Sequence, residues 1–248
     1  MIVSFQMYDR PETAPVYDRL WQATRNALGY GPAKVTRDSD LWHTWQNPDL
    51  LIAQTCGLPF RSRLKDRVTL IGTPDPGLPG LPPGQYHSLI VVHRDAPARS
   101  FADLAGLRFA YNEAGSQSGW AALAAHAALH DIPLGPLLPT GSHAASARAV
   151  ADGGADAAAL DRLTWHLLEA FEPFAGSLRV IARTQPTPAL PLITALGRDP
   201  APLRTALSAA ISVLSPAERT LIGFQRLVAI PDAEYFAIPL PPVPPTAR

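Results

Sequence analysis

Short apolar runs and amphipathic runs alternate along this chain, and that alternation limits its fold more than any other feature. IVSFQMY (2–8), LLIAQT (50–55), VTLIG (68–72), SLIVV (88–92), LRFAY (107–111), DAAAL (156–160) and LRVIAR (178–183) have the length and composition of strands. Helical spacing lies between them: Val16, Leu20, Ala23, Ala27 and Leu28 recur along 15–28, with Pro15 in the first turn and Gly29 at the end. Further helices are expected at about 118–130, 142–151, 162–171, 202–214 and 216–224. Repeated strand–helix alternation predicts an α/β protein with mostly parallel sheets and right-handed crossovers. Proline punctuates this pattern. PDPGLPGLPPG (74–84) separates two strand-like runs, and PLPPVPP (239–245) reads as a frayed, extended tail.

Composition excludes several functions. The 248 residues carry a formal net charge of zero, with Lys34 and Lys65 as the only lysines and no basic stripe, so neither nucleic acid nor an anionic membrane is an expected partner. Cys56 is the one cysteine, which rules out an intrachain disulfide and a multi-cysteine metal site; with no basic neighbour, it reads as a small buried hydrophobe. His126 and His130 are four residues apart, but they are expected to line a helix face, and no metal or cofactor is expected. No stretch approaches the roughly 20 apolar residues of a membrane span. The opening MIVSFQMYDRPE has no basic segment, long apolar core or small-residue cleavage site; it reads as a first strand, with no visible signal peptide.

The junction YNEAGSQSGW (111–120) sets two hydroxyls and two glycines between a strand-like run and the alanine-rich run AALAAHAAL. In a parallel α/β sheet, ligands bind where strands end and helices begin. The first N–H groups of such a helix lack internal partners and carry partial positive charge, while glycines admit a ligand to the backbone. A nucleophile elbow needs Gly-x-Ser-x-Gly, and a phosphate-binding P-loop needs Gly-Lys-Ser/Thr; GSQSG satisfies neither. An ordinary serine helix cap and an oxyanion site both remain.

MYDRPE, AQTCGLPF (53–60), SFADLAGLRFAYNEAGSQSG (100–119), GSHAASARAVADGGADAAALD (141–161) and TPALP (187–191) occur in order over nearly the whole chain. Together they resemble the phosphate/phosphite/phosphonate ABC-transporter substrate-binding family, a branch of the type II periplasmic binding proteins. The resemblance implies two α/β lobes with mixed, mostly parallel sheets, joined by two crossing hinge strands and closing on a ligand. Lobe one would hold 1–87 and 188–248 and lobe two 88–187, with hinges near 87–93 and 183–194. It also implies a monomer that binds a small oxyanion, catalyses nothing, and has an ABC permease as partner. The compartment would be the periplasm, or the cytoplasm if no leader exists. Two alternatives stand beside this reading: a cytoplasmic oxyanion or metabolite sensor without a transporter, and an enzyme on the same fold related to thiamine pyrimidine-precursor synthases. The latter class is expected to need a cysteine-rich segment, and Cys56 is alone.

Residue by residue, the resemblance assigns the oxyanion to Ser116, Gln117, Ser118 and Gly119, then His143 and Asp161, with Tyr8, Gln54 and Thr55 from lobe one. Gln117 departs from the family's small hydroxyl residue, either changing the pocket volume or pointing outward. Asp161 ends a strand and serves equally well as the cap of the helix after it. A carboxylate repels a fully ionised oxyanion, so an Asp161 that touches ligand must meet a proton, on a monoprotonated oxyanion or an ammonium group. Trp45 has no such support, and Trp21, Trp42, Trp120 and Trp165 are expected to pack.

Overall fold

The apolar runs form strands that sort into two five-stranded sheets. They do so in a computed structural model that describes residues 1–245. The chain divides into two units: Met1–Tyr86 with Pro188–Ile238, and His87–Thr187 with the tail that begins at Pro239. The last three residues of the expected first lobe, 246–248, lie outside the described residues.

In the first unit the strand order is Ile2–Ser4, Leu50–Gln54, Leu192–Ala195, Val68–Asp75, Arg226–Val228. The first two strands are parallel, with Val3 opposite Ile52 and Ser4 opposite Ala53. Leu192–Ala195 runs antiparallel to both its neighbours. Helices Ala14–Leu28 and Ala201–Val213 contribute Val16, Leu20, Leu203 and Leu207 to one core with Val3, Ile52 and Ile71. Aromatic rings complete it: Phe5 stacks on Tyr17 at 5.1 Å, and Phe224 meets both edge-on. Gly29 ends the first helix at φ +77, a conformation that favours glycine. The proline-rich loop is tied down by Asp75, which accepts from Gly77 N–H at 3.0 Å, Gly84 N–H at 2.9 Å and Arg226 Nε at 2.9 Å. Burial raises the Asp75 pKa, but these hydrogen bonds outweigh it and leave the carboxyl below its ordinary value.

In the second unit the order is Leu137–Pro139, Phe109–Tyr111, Ala157–Asp161, Ser88–His93, Leu178–Arg183. The first three are parallel to one another, and Ser88–His93 alone is reversed, running antiparallel to both its neighbours. Its central strand is nearly all alanine and fully buried, with separate apolar clusters on its two faces. Small side chains there let covering helices approach closely, which a branched strand would prevent.

Three expectations change. The sheets are mixed, but antiparallel pairs outnumber parallel ones among the described pairings: Ser88–His93 and Leu192–Ala195, the strands that follow each passage between units, run against both their neighbours, and Arg226–Val228 runs against Val68–Asp75. IVSFQMY is a strand only over Ile2–Ser4, and the chain then turns. The proline tail, expected frayed and with lobe one, groups with the second unit, where Trp120 Nε1 donates to Pro242 O at 2.7 Å.

Candidate functional site

The second unit gathers its polar residues where the parallel strands end. Phe109–Tyr111 leads into the GSQSG turn, and Leu137–Pro139 leads into Thr140-Gly141-Ser142. The two exits are stitched together: Thr140 N–H donates to Tyr111 O at 2.9 Å, and Gly141 N–H donates to Asn112 O at 2.8 Å. Ser142 then caps helix His143–Ala151 by accepting from Ala145 N–H at 3.1 Å. That stitching delivers His143 to the turn.

Ser116 is an N-cap, accepting from Gly119 N–H at 3.0 Å. The five residues after it form a π turn, Gln117–Ala121, in place of the expected α-helix. Ala121 N–H closes the turn on Ser116 O at 3.0 Å, and the α-helix begins at Ala122. Single π turns recur at functional sites because they widen the first turn and re-aim its side chains. Ser118 Oγ lies 2.7 Å from His143 Nε2. Gly119 is required by space: a Cβ there would stand 1.9 Å from Asn112 Oδ1 and 3.2 Å from His143 Cε1. Asn112, which the sequence did not single out, therefore belongs to this group, and its buried Oδ1 has no hydrogen-bond partner among the described residues. Gln117 is buried, so it does not point outward.

Burial lowers the pKa of His143, against the opposing effects of the Asp161 charge and the Ala159 backbone. A neutral imidazole has one N–H: on Nε2 it donates to Ser118 Oγ and frees the hydroxyl proton for another acceptor, whereas on Nδ1 it leaves Nε2 to accept from Ser118. Asp161 is buried and caps helix Arg162–Phe171, its Oδ1 accepting from Leu163 N–H at 2.8 Å and Thr164 N–H at 2.9 Å. Its charge also reaches His87, whose pKa is lowered first by burial and then by Arg183 and Arg162. Ser116, Ser118, Gly119 and His143 are thus brought together, while Asp161 performs its capping role and acts on His143 through its field.

The first unit places its three assigned residues differently. Gln54 and Thr55 end the strand Leu50–Gln54; Trp45 Nε1 donates to Gln54 O at 3.0 Å, and Thr55 N–H donates to Pro191 O at 3.0 Å. Gln54 Oε1, Thr55 Oγ1 and the neighbouring Ser4 Oγ are buried with no hydrogen-bond partner among the described residues. Tyr8 lies on the turn after the first strand, half-buried at the margin of two apolar clusters, with its carbonyl accepting from Thr13 Oγ1 at 2.7 Å. Sequence reasoning also missed Arg61, buried in the short helix Gly57–Arg61 and donating to Ile238 O at 3.2 Å. Burial lowers its pKa, against Cys56 and Tyr86. An arginine at the end of GLPFR carries no pattern that would have marked it as interior. Among the described residues no group of three or more metal-ligating side chains occurs.

Comparison with known proteins adds family and fold. The family model described as the phosphonate ABC-transporter periplasmic substrate-binding protein matches residues 52–235. No curated protein matches. Among solved structures, PhnD1 of Prochlorococcus marinus in complex with methylphosphonate is 15% identical at a TM-score of 0.74, over 95% of this chain and 94% of that one. A binding-protein component of a Pseudomonas aeruginosa ABC phosphonate transporter is 18% identical at 0.70, over 94% and 83%. A Xanthomonas citri protein bound to ATP is 20% identical at 0.68, over 94% and 92%. At these identities the structures establish a shared periplasmic-binding-protein fold.

Proposed function

The chain belongs to the phosphonate ABC-transporter periplasmic substrate-binding proteins, and on that premise we propose that it binds a small oxyanion (phosphate, phosphite or a phosphonate) for delivery to an ABC importer. The observation that carries this reading is the Ser118–His143 pair at 2.7 Å beside Gly119 at the head of a helix. A hydroxyl backed by an imidazole stands there, where a side chain on residue 119 would not fit. In this reading Ser116, Gln117, Ser118, Gly119 and His143 hold the anion, and Tyr8, Gln54 and Thr55 are further ligand contacts. Asp161 enforces a proton on the ligand, and Asp161→Asn protein should lose that pH selectivity. The protein works as a monomer in the periplasm with a permease and catalyses nothing. None of its described helices is long and apolar enough to cross a membrane.

The magnitudes allow it. A charge-assisted hydrogen bond contributes roughly 1.5–3 kcal/mol net, so about six give on the order of 9–18 kcal/mol. Immobilising the ligand costs about 4–15 kcal/mol, which leaves micromolar binding within reach without an arginine in the cradle.

A thermal-shift panel tests the reading: phosphate, phosphite, methylphosphonate, aminoethylphosphonate, sulfate, ATP and thiamine precursors. A ligand at about 100 times its Kd stabilises by roughly 2.7 kcal/mol. Phosphorus oxyanions should shift the melt; a shift confined to sulfate or pyrimidine compounds would overturn the assignment.

A further inference from the structure

Residues 239–245 carry a repeating burial pattern. Pro241 and Pro244 are half-buried, while Pro239, Leu240, Pro242, Val243 and Pro245 are exposed. The three-residue spacing of Pro241 and Pro244 matches one turn of a polyproline II helix, which has no internal hydrogen bonds and leaves its carbonyls to outside donors. One carbonyl is taken: Trp120 Nε1–H donates to Pro242 O at 2.7 Å. Proline-rich segments dock on aromatic surfaces in this manner, and here ligand and receptor belong to one chain.

Trp120 is well placed to matter. Its ring is buried and lies 5.4 Å from Tyr111, in a small cluster with Ala124. It sits inside the π turn, directly after Gly119, and the next residue closes that turn on Ser116. A π turn is intrinsically less favourable than the α turn it replaces, so an outside contact must hold it.

We propose that the docked tail is a positioning strap. By holding Trp120 it keeps Ser116–Ala121 in the π form that sets Ser118 and Gly119 beside His143. The consequence for ligand rests on the oxyanion reading above; the consequence for the turn does not.

Two full-length variants separate the faces of the tail. Pro241→Asp with Pro244→Asp charges the docked face, and Leu240→Asp with Val243→Asp charges the outward face. Amide hydrogen exchange is monitored at Gly119, Ala121 and Ala122, methylphosphonate affinity is measured by calorimetry, and thermal melts confirm folding. Loss of one held contact is expected to speed exchange at these amides about three- to tenfold and raise Kd by a similar factor in the docked-face variant. The outward-face variant should match the unaltered protein in both. Trp120→Phe, which keeps a ring but removes the N–H, should reproduce the docked-face result. Unchanged exchange in the docked-face variant overturns the strap, as does faster exchange with unchanged affinity. If the unaltered protein binds no oxyanion, the ligand reading fails, and the exchange comparison alone still decides whether the tail holds the turn.

Discussion

In the second unit, Ser116, Ser118 and Asp161 all have hydrogen-bond partners at the strand ends, whereas in the first unit Ser4 Oγ, Gln54 Oε1 and Thr55 Oγ1 have none among the described residues. Both sets are buried. The Ser116 and Ser118 hydroxyls are therefore already held by neighbouring groups, and Asn112 Oδ1 is the orphaned atom beside them. The first unit keeps these polar atoms buried with no protein partner among the described residues, and a group left unsatisfied in this way costs about 1–3 kcal/mol. Preorganised groups give affinity because little is lost in ordering them. Under the proposed function, orphaned groups would give it because a partner relieves a penalty already present.

Substitutions can break or sharpen this contrast. The largest effect should come from the wired side: His143→Ala strips Ser118 of its partner and should weaken oxyanion binding roughly 10- to 100-fold by calorimetry, from about 1.5–3 kcal/mol of charge-assisted bonding. An equal loss from Gln54→Leu would erase the distinction between the units. Gly119→Ala forces the Asn112 amide to rotate away, and overpacking of this kind costs about 1–3 kcal/mol, read as a lower denaturation midpoint. Opposite signs are expected from a smaller pair: Ser116→Ala removes a cap and should destabilise by about 1 kcal/mol, while Thr55→Val removes an unsatisfied hydroxyl and should stabilise by a comparable amount. Two losses, measured by chemical denaturation, would mean that the Thr55 hydroxyl is satisfied in solution.

The smallest effect is on pH. His87, His126 and His143 all lie in the second unit, and burial lowers each pKa from the ordinary 6.5. Below pH 6.5 the unfolded chain takes up protons that the folded unit resists, so stability should fall as pH drops from 7.5 towards 5. His143→Gln should flatten that slope in a series of melts; an unaltered slope would assign the acid sensitivity elsewhere.

Much of the fold was legible. LRVIAR is a strand over Leu178–Arg183 as read, and DAAAL is displaced by one residue to Ala157–Asp161, because apolar runs bounded by polar turns announce themselves. Leu137–Pro139, Leu192–Ala195 and Arg226–Val228 went unread: they are short, and their strand state is decided by distant partners rather than local pattern. At the candidate site, serine, glycine and histidine could be picked out by type and by resemblance. The π turn, the Asn112–Gly119 contact and the docking of Trp120 on Pro242 could not, since each depends on packing between residues that the sequence holds apart.

Leu192–Ala195 sits in the middle of the first sheet, between Leu50–Gln54 and Val68–Asp75. During synthesis that slot stays open until the whole of 87–187 has emerged, which at about 5–20 residues per second lasts roughly 5–20 seconds. The inserted unit can mature first while its host waits with two naked strand edges. Such edges recruit stray strands, so the nascent chain should need a chaperone most in that interval and should aggregate if translation stalls within it.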